Sequence, residues 1–274
     1  MKIKGEFNFN MHQSWRYRGQ YERAYAATNE PLSWELRLAE PKDKNVLTVA
    51  ASGDQPLLYA AYGASRVDTF DLTYYARVLM DFKTTALRGM EYEEYCTVVR
   101  DMSFGPACMH APNVKHTIRQ MPAQTGTLMQ KCIGRKNWAF DRQHCYFIDT
   151  PYNPEEYALM QTNITRPFDF VWTDLAHLHN YLDARYDIIN LSNIFDHFQF
   201  QKKPTGQTLT TLQNLWPYLN DGGKILCMTA NIASEMNLRR ELDIHLNHDG
   251  RAANISAFYA NNELYTCIMI QKIH

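Results

Sequence analysis

The sequence predicts a doubly wound α/β sheet closed by a late antiparallel hairpin. Three observations predict it: short apolar runs that end on polar residues, amphipathic segments of helical period between them, and a C-terminal pair of runs around an Asn-Asn-Glu turn. Short, almost continuous apolar runs suit strands buried on both faces of a parallel sheet. Alternation of such runs with helices is the pattern of an α/β fold.

The elements follow in order. Val46–Ala50 is an apolar run that stops at Ser52-Gly53-Asp54. Arg66–Asp71 (RVDTFD) comes one helix-length later and ends on an acid. From Leu72 to Met90, apolar side chains recur at three- and four-residue intervals (Tyr75, Val78, Leu79, Phe82, Ala86, Met90), which predicts an amphipathic helix. Phe168–Asp174 and Tyr186–Ser192 repeat the strand style. Thr208–Leu219 has a helical stripe with Gly222 close behind as a terminator. Asp221-Gly222-Gly223 reads as a turn, and Lys224–Thr229 as the strand after it. Ile255–Tyr259 and Leu264–Ile270 flank Asn261-Asn262-Glu263 and read as a hairpin.

Two stretches fall outside this alternation. Residues 1–40 form an expected N-terminal helical cap, leaving residues 41–274 as the main domain. Residues from about 101 to 165 are far longer than a usual connection and read as an inserted lid. The cap places Trp15, Tyr17, Tyr21 and Tyr25 among Arg16, Arg18 and Arg23. Tyr17, Tyr21 and Tyr25 share a helix face at four-residue spacing. That face suits packing on the core, a lid with an Arg for a carboxylate, or a membrane interface.

Composition narrows the function classes. The chain has 274 residues, 45% hydrophobic and 21% charged, with a formal net charge of −1; this is the balance of a folded protein. Such a charge disfavours bulk electrostatic binding of nucleic acid. No apolar run reaches the 18 residues of a membrane span, and Met1–Asn10 lacks the apolar core of a secretory signal. The six cysteines are scattered, without CxxC spacing. That pattern reads as reduced thiols in a cytoplasmic protein without a structural metal.

Ligands of open α/β sheets bind at the carboxyl ends of strands, and three strand ends here carry suitable groups. The loop Ala51-Ser52-Gly53-Asp54-Gln55 has one glycine for close backbone approach, with Ser52 and Asp54 able to hold an amino-acid head group. Asp71 can accept both hydroxyls of a ribose, and it stands 19 residues beyond Ser52, near the spacing expected of a loop and a ribose carboxylate. Asp174 can accept from an adenine amino group while Leu175 donates its backbone N–H. Each acid has an ordinary alternative as a helix N-cap. GxGxxG and GxxxxGK[ST] are both absent, so pyrophosphate cofactors fit poorly and a phosphate-free nucleoside such as S-adenosylmethionine fits better.

A family resemblance joins this reading. Asn45–Tyr95, with a strand ending in SGD, a second ending in Asp71-Leu72, a helix carrying Leu79, Lys83 and Ala86, and then Tyr92-Glu93-Glu94-Tyr95, resembles the diacylglycerol 3-amino-3-carboxypropyl transferases of the betaine-lipid pathway. Tyr186–Phe198 (YDIINLSNIFDHF) and Gly222–Leu226 (GGKIL) resemble that family's fourth- and fifth-strand segments. The resemblance covers about half the chain and implies a class I S-adenosylmethionine-dependent fold. It also implies donor contacts from Ser52, Gly53, Asp54, Asp71, Asp174 and the segment Asn190, Leu191, Ser192 and Asn193. Gln55 and Leu72 belong to the same two loops. The loop's Gln55-Pro56 and the insertion depart from the family.

The implied reaction moves the 3-amino-3-carboxypropyl group to a small-molecule or lipid acceptor, with methyl transfer on the same scaffold as the alternative and a non-catalytic nucleoside-binding module as a third. An oxygen nucleophile needs a general base. Asp196 and His197, just past the fourth strand, are the candidates, with the first turn of a helix as their structural alternative. His110 and His116 in the insertion are further candidates for a base. His177 and His179, at i and i+2, do not share a helix face for a metal.

Overall fold

The computed structural model describes residues 3–4, 24–28, 32–102, 106–133, 140–141, 152–195, 206–229, 253–259 and 266–273. Its strands are β1 (Ile3–Lys4), β2 (Ala24–Tyr25), β3 (Asn45–Val49), β4 (Arg66–Asp71), β5 (Phe140–Asp141), β6 (Asp169–Trp172), β7 (Tyr186–Asn190), β8 (Leu219–Thr229), β9 (Ala253–Tyr259) and β10 (Thr266–Lys272). The large sheet runs β1-β6-β4-β3-β7-β8-β10-β9. β7 pairs in parallel with β3 and β8, whereas β10 lies antiparallel between β8 and β9. From β6 onward this is the doubly wound strand order with the last strand inserted antiparallel, the class I layout that the sequence predicts.

The chain divides into two compact units. One comprises residues 1–29, 50–62 and 69–173, and the other residues 30–49, 63–68 and 174–274.

In the first unit, α2 (Asp54–Ala61), α3 (Tyr74–Ala86) and α4 (Tyr92–Met102) carry the apolar side chains that form its core, including Leu57, Leu58, Val78, Leu79, Phe82 and Tyr95. Thr73 caps α3, its hydroxyl accepting from the Tyr75 amide at 3.3 Å. Inside α3, Arg77 is fully buried. It pairs with Asp81 at 2.8 Å and donates to the Phe168 carbonyl at 2.5 Å. A charge with no water around it needs this double satisfaction.

The described part of the insertion is a packed helical layer: α5 (Pro112–Gln120), α6 (Ala123–Ile133) and α7 (Pro154–Asn163). Thr125 of α6 donates to Asp81 at 2.9 Å. From α7, Tyr157 donates to the Met90 carbonyl at 2.8 Å, Gln161 to that of Leu87 at 2.9 Å and Asn163 to that of Ala61 at 2.7 Å. A complete capping box, Asn153 with Glu156, starts α7, and Pro154 opens its first turn. Three short strands were not legible in the sequence: β1, which pairs with β6, and the β2–β5 pair. Tyr25 therefore lies in a strand, not on a helix face; Trp15, Tyr17 and Tyr21 lie outside the described residues.

In the second unit, α1 (Leu32–Ala39) precedes β3, and α8 (Gly206–Leu215) precedes β8. The predicted helix to Leu219 ends at Leu215, and Trp216–Tyr218 continues as a short 3-10 turn. Pro217 explains the stop, because proline lacks the N–H and its ring crowds the preceding turn. The predicted turn at Asp221-Gly222-Gly223 is instead an irregularity inside one long strand. Tyr186 faces Leu219 while Ile188 faces Lys224, so β8 spends extra residues over two of β7. Gly222, at φ +76°, accommodates that bulge. The hairpin forms as predicted, with Thr266 opposite Tyr259 and Lys272 opposite Ala253; its turn, Asn261-Asn262-Glu263, lies outside the described residues. Among the described residues no helix is long and apolar enough to cross a membrane.

Candidate functional site: a strand-end loop and its carboxylates

The first unit holds the loop that follows β3. Ala50 donates its amide to the Phe70 carbonyl at 2.8 Å, and the Gly53 amide turns back to the Ala50 carbonyl at 2.6 Å. Two residues adopt the left-handed region, Ala51 at φ +44° and Gly53 at φ +86°. A β-carbon on Gly53 would stand 3.2 Å from the Met80 backbone, a tight approach, and the left-handed φ itself favours glycine.

Asp71, the last residue of β4, is built into this turn. One carboxylate oxygen accepts from the Ala51 amide at 2.8 Å and the other from the Thr73 amide at 2.8 Å. The residue as a whole keeps 9% exposure. Burial pushes its pKa up to about 6, against the hydrogen bonds from Thr73, Ala51 and Leu72, which favour the ionised form. A carboxylate offers about four lone-pair positions, and the Ala51 and Thr73 amides take one on each oxygen. Leu72 beside it is half-buried, its carbonyl held by the Trp172 indole N–H at 3.0 Å.

Asp54 is placed differently. The side chain is completely buried. Its carboxylate accepts from Lys83 Nζ at 2.5 Å, from the Ser52 hydroxyl at 2.7 Å, from the Thr28 amide at 2.7 Å and from the Tyr152 hydroxyl. Four donors match the about four lone-pair positions of a carboxylate. Ser52 is likewise fully buried and spent on Asp54. Gln55, 1% exposed, turns its amide toward Thr28 Oγ1 at 3.5 Å. Ser52, Asp54 and Gln55 thus form the buried inner wall of the loop.

Sequence reasoning missed Thr28 and Tyr152 as partners of Asp54, and no local pattern marks them. Lys83 had a signal: it interrupts the apolar face of α3, and a lysine there requires a buried acid. Tyr152 continues into an aromatic cluster. Tyr95 lies 6.1 Å from it and 5.1 Å from Tyr157, ring centre to ring centre. Burial, then the Asp54 charge, raise the hydroxyl pKa of both Tyr152 and Tyr95 well above the ordinary value.

The second unit holds the remaining predicted residues. Asp174 accepts from the Ala176 amide at 2.8 Å, taking the N-cap role, and Leu175 behind it is buried. Asn190, at the end of β7, is fully buried; its side-chain oxygen accepts from the Ser192 amide at 2.9 Å and its side-chain nitrogen donates to Glu35 at 2.6 Å. Ser192 adopts φ +52°, and its carbonyl takes the Met228 amide at 2.8 Å. Asn193 follows, half-buried. Asn190 and Ser192 therefore shape the turn after β7, and Glu35 of α1 is a buried acid that the sequence did not announce. Asp196 and His197 lie outside the described residues. His177 is exposed, and His116 contacts Gln120 on the surface at 2.8 Å. Among the described residues no group of three or more His, Cys, Asp or Glu could hold a metal.

No protein-family model matches the chain, and no curated protein matches it in sequence. Solved structures match it at low identity. A rRNA methylase from Streptococcus thermophilus is 13% identical over 89% of this chain and 98% of its own, with a TM-score of 0.44. The N-methyltransferase NodS from Bradyrhizobium japonicum WM9 is 12% identical over 88% and 94%, with a TM-score of 0.45. Magnesium protoporphyrin IX methyltransferase from Synechocystis PCC 6803, solved with bound S-adenosylmethionine, is 11% identical over 98% and 86%, with a TM-score of 0.41. The strand order, rather than these likenesses, defines the fold.

Proposed function

We propose that the chain is an S-adenosylmethionine-dependent transferase. One observation carries the reading: Asp71, at a strand's carboxyl end, has its carboxylate fixed by the Ala51 and Thr73 amides beside a glycine turn. A preset acceptor of this kind suits the two hydroxyls of a ribose. The loop offers a single glycine, and its helix α2 opens on the buried Asp54 carboxylate. A phosphate there would meet negative charge rather than a cradle of amides. The donor set therefore fits a nucleoside without phosphate.

The resemblance over Asn45–Tyr95 favours transfer of the 3-amino-3-carboxypropyl group to a small-molecule or lipid nucleophile. In that reaction the new bond forms to the γ-carbon of the amino-acid arm, its bond to sulfur breaks, and neutral methylthioadenosine leaves with the sulfur's electron pair. The proton of an oxygen nucleophile passes to a base, a role we assign to Asp196 or His197. Methyl transfer, the second reading, needs the same nucleoside contacts and suits a fold that hosts many chemistries. It differs in releasing S-adenosylhomocysteine.

The experiment is to incubate purified protein with S-adenosylmethionine and cell extract and identify the nucleoside product by mass. Methylthioadenosine above the no-enzyme background supports aminocarboxypropyl transfer. S-adenosylhomocysteine makes methyl transfer the activity, and neither product removes the transferase reading.

A further inference from the structure

Asp54 gathers segments that are distant in sequence. Ser52 belongs to the ligand-facing loop, Lys83 to α3, Thr28 to the N-terminal segment and Tyr152 to the insertion, 98 residues away. All four donate to one carboxylate that has no access to water. Each donor is therefore costly to lose, because the charge it leaves cannot turn to solvent. The Gln55 amide, reaching Thr28 Oγ1, adds a second tie between loop and N-terminal segment.

We propose that Asp54 is a positioning residue that couples the conformation of loop 50–54 to the seating of the insertion through Tyr152 and of the N-terminal segment through the Thr28 amide. A change at any of the three is felt at the other two, because they share the lone pairs of one anion. The link runs in both directions: a ligand that holds the loop steadies the insertion, and loosening the insertion loosens the loop. The ligand half of this inference rests on the proposed donor site; the coupling itself does not.

Tyr157 supplies the control. Its hydroxyl also ties α7 to a distant segment of the chain, but to the Met90 carbonyl rather than to Asp54. Hydrogen exchange of the full-length chain, read by mass spectrometry, compares wild type, Tyr152→Phe and Tyr157→Phe without ligand and with S-adenosylmethionine. Without ligand, Tyr152→Phe is expected to speed exchange of the amides of residues 50–57 and 26–28 about tenfold or more, the factor that goes with one lost hydrogen bond to a charged group. Tyr157→Phe is expected to speed exchange in 154–163 and leave 50–57 unchanged. Equal effects of the two variants on 50–57, or no effect of Tyr152→Phe there, overturn the coupling.

With ligand, slower exchange at both 50–57 and 154–163 in wild type and Tyr157→Phe, but only at 50–57 in Tyr152→Phe, supports transmission through Tyr152. Slower exchange at 50–57 alone in wild type overturns it. If S-adenosylmethionine changes no segment of the wild type, the donor reading fails, while the ligand-free comparison still decides the coupling.

Discussion

Lys83 Nζ donates to Asp54 at 2.5 Å, and neither side chain has any exposure. Asp54 closes the loop that carries Ala51 and Gly53, so fully buried charges of the first unit shape the surface proposed for the donor. A buried pair adds little stability against a well-packed apolar substitute, yet breaking it by removing one partner is expensive.

Lys83→Met is expected to destabilise the protein by about 3–5 kcal/mol, because Asp54 then keeps its charge without a cation. Adding Asp54→Asn in the same chain should restore much of that loss. Chemical denaturation of the two single variants and the double variant measures the coupling. Strictly additive losses would mean that the pair is not an energetic unit.

Gly53→Ala tests the turn. Alanine at φ +86° is strained, and its methyl group would press on the Met80 backbone. The expected cost is about 1–2 kcal/mol from the left-handed conformation alone, with a larger fall in donor affinity as the loop gives way. A variant as stable as the parent would show that the loop relaxes without strain.

Asp71 makes stability depend on pH in an unusual direction. Its carboxyl titrates near 6 when folded, above the ordinary value of 3.8, because it is buried. Between those two values the folded state keeps a proton that the unfolded chain has released, so stability falls as pH rises through that window. At 1.36 kcal/mol for each pH unit, the full effect is roughly 3 kcal/mol. Melting temperatures from pH 4 to 7 should therefore decline in the wild type relative to Asp71→Ala, which has no such group. Parallel curves would place the Asp71 pKa at its ordinary value.

Much of the fold is legible in the sequence, because buried strands announce themselves by composition. RVDTFD coincides with β4, residue for residue, and the hairpin pairs as its Asn-Asn-Glu turn suggests. Punctuation misleads where tertiary pairing overrides it: Gly222-Gly223 marks a bulge inside β8, since Tyr186 and Ile188 both find partners across it. The site is only half legible for a related reason. Asp54 and Asp71 look alike in sequence, each an acid at the end of an apolar run. Asp54 is drawn inward by Lys83, Thr28 and Tyr152, which stand 29, 26 and 98 residues away and share no local pattern with it. Asp71 is held by amides of its own turn, among them Ala51 and Thr73.

The central claim is that Asp71 and loop 50–54 form a nucleoside site, and titration calorimetry with S-adenosylmethionine near pH 7.5 tests it most directly. Wild type is expected to bind with a single-site isotherm, and Asp71→Ala, folded as judged by circular dichroism, to show no measurable heat. Equal affinity in the two proteins would contradict the claim.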